Sequence, residues 1–299
     1  MKKLSIIIAI AALLATTASL GNQFDAQARI SWKKTLKTVY RESKKSQKQN
    51  SKNNNNINIP AASTSVSTTS LNYVRMPRGT ANAPLAYKSI TVYFNPSLRI
   101  PNCVAYCLTA TQATMTDAPG AEKRKNYKFY ADSHVKGCPE WYEYKNSGYS
   151  RGHMAPAMDM RHDKTSMAQC FLMTNICPQD ASLNQGPWNE MEQSIHLLAR
   201  KLGEIYIITG PIMGNGTPRR IGPNHDIAVP QALFKILYAP RQQKGIAFIF
   251  DNTPCKGSFK NHAVTIDEVE RRTGMDFFSV LPDKTEAAIE RQCTISSWF

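Results

Sequence analysis

Near residue 71 the chain changes character. Beyond it, short runs of β-branched and aromatic residues recur. Residues 90–94, 103–108, 170–173 and 205–208 read as strands. Residues 233–238 and 245–250 read as the arms of a β-hairpin, joined by polar Arg241, Gln242, Gln243 and Lys244. Two segments switch to helical spacing. Pro187 suits the first turn of a helix, and Trp188, Met191, Ile195 and Leu198 then form one apolar stripe. A second helix is expected after Thr265, with Glu268 completing a capping-box pattern and Gly274 near the end. Strands and helices do not alternate as βαβ units. The pattern therefore predicts an α+β fold with a mostly antiparallel central sheet flanked by helices.

The chain before residue 73 divides in two. Lys2 and Lys3, an apolar core at 6–14 and small residues up to Ala28 read as a signal peptide over 1–28, which predicts a secreted or periplasmic protein. That apolar core is too short to span a bilayer, and no later segment is apolar enough. Residues 29–72 are basic, then rich in Asn, Ser and Thr, without apolar periodicity, and read as a disordered tether. The remaining 73–299 is long enough for one sizeable domain. The net charge of +15 invites an anionic partner, but nine Lys/Arg against one Glu fall within 29–52. Residues 53–299 carry only +6, so charge alone does not point to nucleic acid.

Seven cysteines in an exported chain predict disulfides with at least one thiol left over. Cys255 and Cys293 are candidates to tie down the last segment. Cys103 and Cys107 would lie about 13 Å apart in an extended strand and could bridge only if the chain bends there; burial alone is the competing reading for several of the seven. The spacings form no paired C-x-x-C zinc site.

Chemistry concentrates at Ser150-Arg151-Gly152-His153 and, further on, at 174–188. A histidine, an arginine and amides close together suit hydrolysis of an anionic ester, which needs a base for water, charge stabilisation at the reacting centre and help for the leaving oxygen. His153 is the candidate general base, since imidazole titrates closest to neutral pH. Arg151 supplies a permanent cation with a fork suited to phosphate, and Gly152 would let the backbone approach a ligand. The other histidines (134, 162, 196, 225 and 262) read as structural or merely exposed. Asn184 offers an amide oxygen to a hard ion such as magnesium, which keeps several waters when protein ligands are few; one such water could protonate the leaving group. Alternatively, Asn184 is a turn or cap residue before the Pro187 helix. Glu192 lies about 40° from Trp188 around that helix, where a carboxylate is usually paired or functional. It could orient a metal-bound water or hold Arg151. Asn175 and Gln179 carry amides that position phosphates or hold their loop together.

These segments resemble the DNA/RNA non-specific endonuclease family, whose signature runs Asp-Arg-Gly-His, then Thr-Asn-x-x-Pro-Gln, then Leu-Asn-x-Gly-x-Trp. Here the matching residues are Ser150 to His153, Thr174 to Gln179 and Leu183 to Trp188. Later blocks at Thr209-Gly210-Pro211, Phe234-Lys235 and Thr273-Gly274 look similar. The resemblance covers roughly residues 73–299. It implies a ββα-metal finger built from strands around His153 and 171–173 plus the Pro187 helix. It implies cleavage of DNA and RNA with little sequence preference, leaving 5′-phosphates. It also implies a bound Mg2+, with Mn2+ or another divalent ion as the alternative. By resemblance, His153 is the base, Arg151 a phosphate contact, Asn184 the single direct metal ligand and Glu192 the auxiliary glutamate. The chain departs from the pattern at Ser150, where the family carries Asp. The second arginine expected upstream has no assigned counterpart; Arg124 is nearest, within a lysine-rich run.

Two other classes compete. A catalytically weakened nucleic-acid-binding protein of the same fold is favoured by Ser150 alone. A cysteine hydrolase would use Cys177 or Cys138, but no nucleophile motif surrounds either.

Overall fold

The computed structural model describes residues 73–224 and 226–299. The segments read as signal peptide and tether, 1–28 and 29–72, lie outside the described residues, as does His225. The strands are β1 (Val74–Arg75), β2 (Ala83–Ala86), β3 (Thr91–Asn95), β4 (Ile100–Thr109), β5 (Ser150–His153), β6 (Ile176–Gln179), β7 (Glu204–Ile212), β8 (Arg220–Ile221), β9 (Ile227–Ala228), β10 (Ala232–Ala239), β11 (Lys244–Asp251), β12 (Ala263–Val264) and β13 (Asp276–Phe277). Seven of them form one sheet in the order β12-β11-β10-β7-β4-β3-β2, and every neighbouring pair is antiparallel. This is the α+β architecture expected from the pattern.

Seven α-helices accompany the strands among the described residues: α1 (Ala110–Met115), α2 (Ala157–Met160), α3 (Lys164–Cys170), α4 (Ala181–Gln185), α5 (Pro187–Leu202), α6 (Ile266–Thr273) and α7 (Asp283–Glu290). The sheet is covered on both faces, so its central strands are buried along nearly their whole length. On one face Leu233, Leu237, Ile205 and Ile207 pack with Trp188, Met191 and Ile195 of α5. On the other, Phe234, Ile236 and Ile208 pack with Ile266 and Val269 of α6 and Ile289 of α7. A buried polar network ties α5 down. Asp159 of α2 accepts from Tyr106 of β4 at 2.8 Å and meets His196 Nδ1 at 2.7 Å, while His196 Nε2 meets Thr116 Oγ1 at 2.9 Å. His196 is therefore structural.

Three expectations change. Residues 170–173 are not a strand. Cys170 ends α3, Phe171 and Leu172 cross beneath Tyr130 in a single bridge, and Met173–Asn175 is a 3-10 turn. A buried helix end carries the same apolar density as a buried strand, so periodicity could not separate them. At α6, Thr265 Oγ1 accepts from Glu268 N as expected, but the Glu268 carboxylate turns to Arg271 at 2.7 Å instead of closing the box. The helix still ends at Gly274, whose φ of 70° favours glycine. Finally, no disulfide forms: all seven cysteines are free. Cys103, Cys170 and Cys177 are buried and pack as small apolar groups. Cys255 faces His262 at 3.7 Å, and Cys293 is exposed.

At the end of α7, burial and the carboxylates of Glu270, Glu286, Asp267 and Asp276 push Glu290 up from 4.5 to about 8. A raised folded-state value makes the protonated form the stabilising one. That stability is present below about 4.5 and is lost as pH rises through about 8. In chelator, Glu290→Gln should raise Tm at pH 8.5 and leave it unchanged at pH 4.5. Equal Tm shifts at the two pH values would show that the carboxyl does not titrate in this range.

Candidate active site

β5 and β6 pair in antiparallel register, with Arg151 opposite Pro178, Gly152 opposite Cys177 and His153 opposite Ile176. The chain then runs through α4 into α5. Asp180 caps α4 by accepting from Ser182 N and Leu183 N, and Asn252 holds the same turn by accepting from Asp180 N at 2.8 Å. Gly186, not Asn184, is the cap residue of α5. The Asn184 amide has no hydrogen-bond partner among the described residues. It lines a cleft of about 390 Å³ with Arg124, Phe129, Tyr144, Lys145, Tyr149, Ser150 and Arg151.

His153 sits behind the Phe129 wall of that cleft. Its ring lies 5.2 Å from Phe129 and 5.0 Å from Phe171, and its Nε2 is buried with no hydrogen-bond partner. Burial, then the charges of Arg124 and Arg151, pull its pKa from 6.5 down to about 3. The imidazole is thus neutral and free to accept a proton. Arg151 stacks over Phe129 at 4.8 Å and donates to Trp141 O at 3.1 Å. Arg124 lies over Phe171 at 5.1 Å.

Glu192 accepts from Trp188 Nε1 at 2.9 Å and pairs with Lys235 Nζ at 3.6 Å. Lys235 also donates to Thr209 Oγ1 at 2.8 Å and to Met154 O at 3.4 Å. Burial pushes the Glu192 carboxyl up and the Lys235 ammonium down, while their mutual attraction opposes both shifts.

The family model for DNA/RNA non-specific endonucleases matches residues 67–284. The chain belongs to the DNA/RNA non-specific endonuclease family. It is 30% identical over 232 residues to a mitochondrial nuclease EXOG of Danio rerio, covering 71% of this chain and 64% of that protein. It is 29% identical over 224 residues to a nuclease of Serratia marcescens, covering 71% and 81%. The solved structure of an EndoG/EndoGI complex shares the fold, with a TM-score of 0.62 at 23% identity over 72% of this chain and 89% of that one.

In this family member the ββα finger comprises β5, β6 and the α4–α5 unit, so its second strand is Ile176–Gln179 and not residues 171–173. Arg151, Asn184 and Ser150 meet at one cleft, with His153 against its aromatic wall. Asn175 and Gln179, expected at substrate, do not reach it. Asn175 is fully buried; it accepts from Ala155 N and donates to Ala155 O and Cys170 O, which uses the amide up in holding its loop. Gln179 is fully buried beneath Gly152. Nor does Glu192 hold Arg151, which is held by the Trp141 carbonyl and the Phe129 ring. Sequence reasoning names Arg124 but leaves it unassigned among Lys123, Lys125 and Lys128, and the structure places it at the cleft. It passes over Lys235 as a site residue. Lys235 had a usable signal, since it alternates with Leu233 and Leu237 on a core-facing side of a strand.

Gly152 is required by packing rather than by approach to a ligand. A Cβ there would overlap Gln179 Oε1 and come within 2.7 Å of Gln179 Cβ. Gly152→Ala should therefore force the hairpin apart, costing about 1–3 kcal/mol and displacing the residues on either side. Chemical denaturation and a nuclease assay check this; unchanged stability and rate would mean Gln179 moves aside freely.

Proposed function

We propose that the chain is a secreted, metal-dependent nuclease that hydrolyses phosphodiester bonds of DNA and RNA with little sequence preference, leaving 5′-phosphates. The observation that carries this reading is a neutral imidazole with an unpartnered buried Nε2, set against a cleft lined by two arginines and a free amide. Export is proposed from Lys2, Lys3 and the apolar core at 6–14.

His153 takes the proton from the attacking water. Arg124 and Arg151 receive the phosphate, whose charge grows at the transition state. Trp141 and Tyr142, 39% and 51% exposed beside Arg151, offer flat surfaces on which bases of any identity can stack, in keeping with weak sequence preference. The Asn184 amide oxygen fits a hard divalent ion, Mg2+ in the first instance: it is an unpartnered oxygen donor in a cleft whose own charges are positive. A single neutral ligand leaves such an ion most of its waters and lets the substrate phosphate supply the anionic ones. When bound, the ion adds electrostatic stabilisation at the phosphate and leaving oxygen. Glu192 acts as a positioning residue, fixing Trp188 and Lys235 and so the seat of α5. Against a thiol nucleophile, burial pushes Cys138 up to about 12 and Cys177 higher still.

Cleavage of supercoiled plasmid and folded RNA tests the reading. Both substrates should be lost with magnesium and preserved with chelator. His153→Ala should lower the rate by roughly 10²–10⁴-fold. Binding of both nucleic acids without cleavage would instead indicate the weakened binding protein, with Ser150→Asp the substitution to try. The pH profile is a second test. The base works when neutral, and its lowered pKa keeps it neutral down to about 3 in the free protein. The acid limb of kcat/KM should therefore be flat from pH 8 to pH 5; a fall centred on 6.5 would mean a solvated imidazole.

A further inference from the structure

We propose that Lys145 and Arg219 are two further phosphate seats at the rim of the cleft, holding a nucleic-acid strand beyond the phosphate received by Arg124 and Arg151, a role that rests on the reading of the cleft as a nucleic-acid site. Among the described residues, five cations lie over aromatic rings. Lys235 is in the core. The other four surround this cleft: Arg124 on Phe171 at 5.1 Å, Arg151 on Phe129 at 4.8 Å, Lys145 on Trp141 at 4.9 Å and Arg219 on Tyr149 at 5.4 Å. Lys145 and Tyr149 line the cleft, and the exposed Arg219, against Tyr149, also donates to its hydroxyl at 3.3 Å. None of the four pairs with a carboxylate among the described residues, whereas Arg75, Arg99, Arg200 and Arg271 all do.

A carboxylate fixes a cation but cancels its charge. An aromatic ring draws the cation through its quadrupole and carries no net charge of its own. A cation seated on a ring is therefore held in place with its whole charge available to an anion. A stacked guanidinium also keeps its in-plane N–H edge free, which is the edge that meets a phosphate. Like charges grouped without a counter-charge repel one another, so the set is relieved only by an anion. A small anion would engage one or two of them. Four seats, spread round a cleft of about 390 Å³ and past its edge, suit successive phosphates of one strand.

The two outer seats are also braced from below. Arg99 is bidentate to Glu143 at 2.8 and 2.9 Å, and Glu143 accepts from Glu140 N at 2.6 Å, which pins the 3-10 turn Trp141–Tyr144 that carries the ring under Lys145. The same Arg99 donates to Asp226, whose backbone carbonyl accepts from Arg220, the neighbour of Arg219 and the first residue of β8. One paired arginine thus steadies the supports of two unpaired cations.

The test is binding of a fluorescein-labelled single-stranded DNA of about twelve nucleotides, read by anisotropy in chelator over a range of salt concentrations. Four phosphate contacts should give a slope of about −3 for log affinity against log salt, since each contributes about 0.7 on a single strand. Lys145→Gln and Arg219→Gln should each make the slope shallower by about 0.7 and weaken binding about fivefold at low salt. Both side chains are exposed, so Tm should not change. Arg219→Lys keeps the charge and should keep the slope. Lys284→Gln removes the same charge from an exposed position on α7 and should alter neither slope nor affinity. An unchanged slope in Lys145→Gln or Arg219→Gln, or an equal fall in Lys284→Gln, would overturn the proposal. Protein that binds with these slopes but never cleaves when magnesium is added would sink the nuclease reading and leave the seats standing; cleavage with unaltered slopes in the variants would do the reverse.

Discussion

A lysine ammonium cannot stay in a protein core without partners, and Lys235 has four. Its Nζ reaches Thr209 Oγ1, Met154 O and the Glu192 carboxylate, and lies 5.0 Å above the Trp188 ring. Those partners belong to β7, to the chain just after β5, and to α5. One desolvated charge therefore fixes the sheet, the strand bearing Arg151 and the helix that follows Asn184 relative to one another. An apolar residue would fill the space, but would tolerate small slides between these pieces. The lysine does not, because each slide would leave a charge or carbonyl unpaired in a dry interior. Such rigidity suits the reading proposed for the cleft, in which the separation of His153, the arginines and the Asn184 amide would set the rate.

The sheet's two faces divide the labour. Alternation along β10 sends Leu233, Lys235 and Leu237 toward α5 and the finger, and Phe234 and Ile236 toward α6 and α7. All the chemistry discussed for the cleft stands on the first side. The second is an apolar layer edged by carboxylates. Residues one position apart in sequence thus answer to different demands.

Much of this was legible in the sequence where one rule acts alone. The alternating runs gave five of the six expected strands, and the Trp188–Leu198 stripe gave α5, because burial on one side leaves a period. Residues 170–173 misled because they are buried on every side and carry no period. The short helix α3, buried from Ser166 to Cys170, was invisible for the same reason, while α1 has only Ala113 buried and is too short to show a period. The structure brings Ser150 and Arg151 of the motif to the cleft, but the motif did not say what holds each member there. Gly152 looked like room for a ligand and is room for Gln179. Asn175 and Gln179 looked like substrate contacts, but nothing in a sequence says whether an amide is already satisfied by backbone. Arg124 needed three dimensions to stand out from its lysine neighbours. The cysteines followed a rule about exported chains, and packing, not oxidation, accounts for the buried ones.

The aromatic seat of His153 bears on the turnover proposed above. A base that is hard to protonate is also quick to let its proton go. If His153 takes a proton as proposed, the resulting imidazolium lies against Phe129 and Phe171, which solvate no charge, and feels Arg124 and Arg151, which repel it. Such a cation would be tolerable only while a phosphate anion occupied the cleft. On that reading the counter-charge would leave with the product, and the ring would release its proton to solvent. Departure of one cut strand would thereby free the base for the next, without a separate residue to reset it.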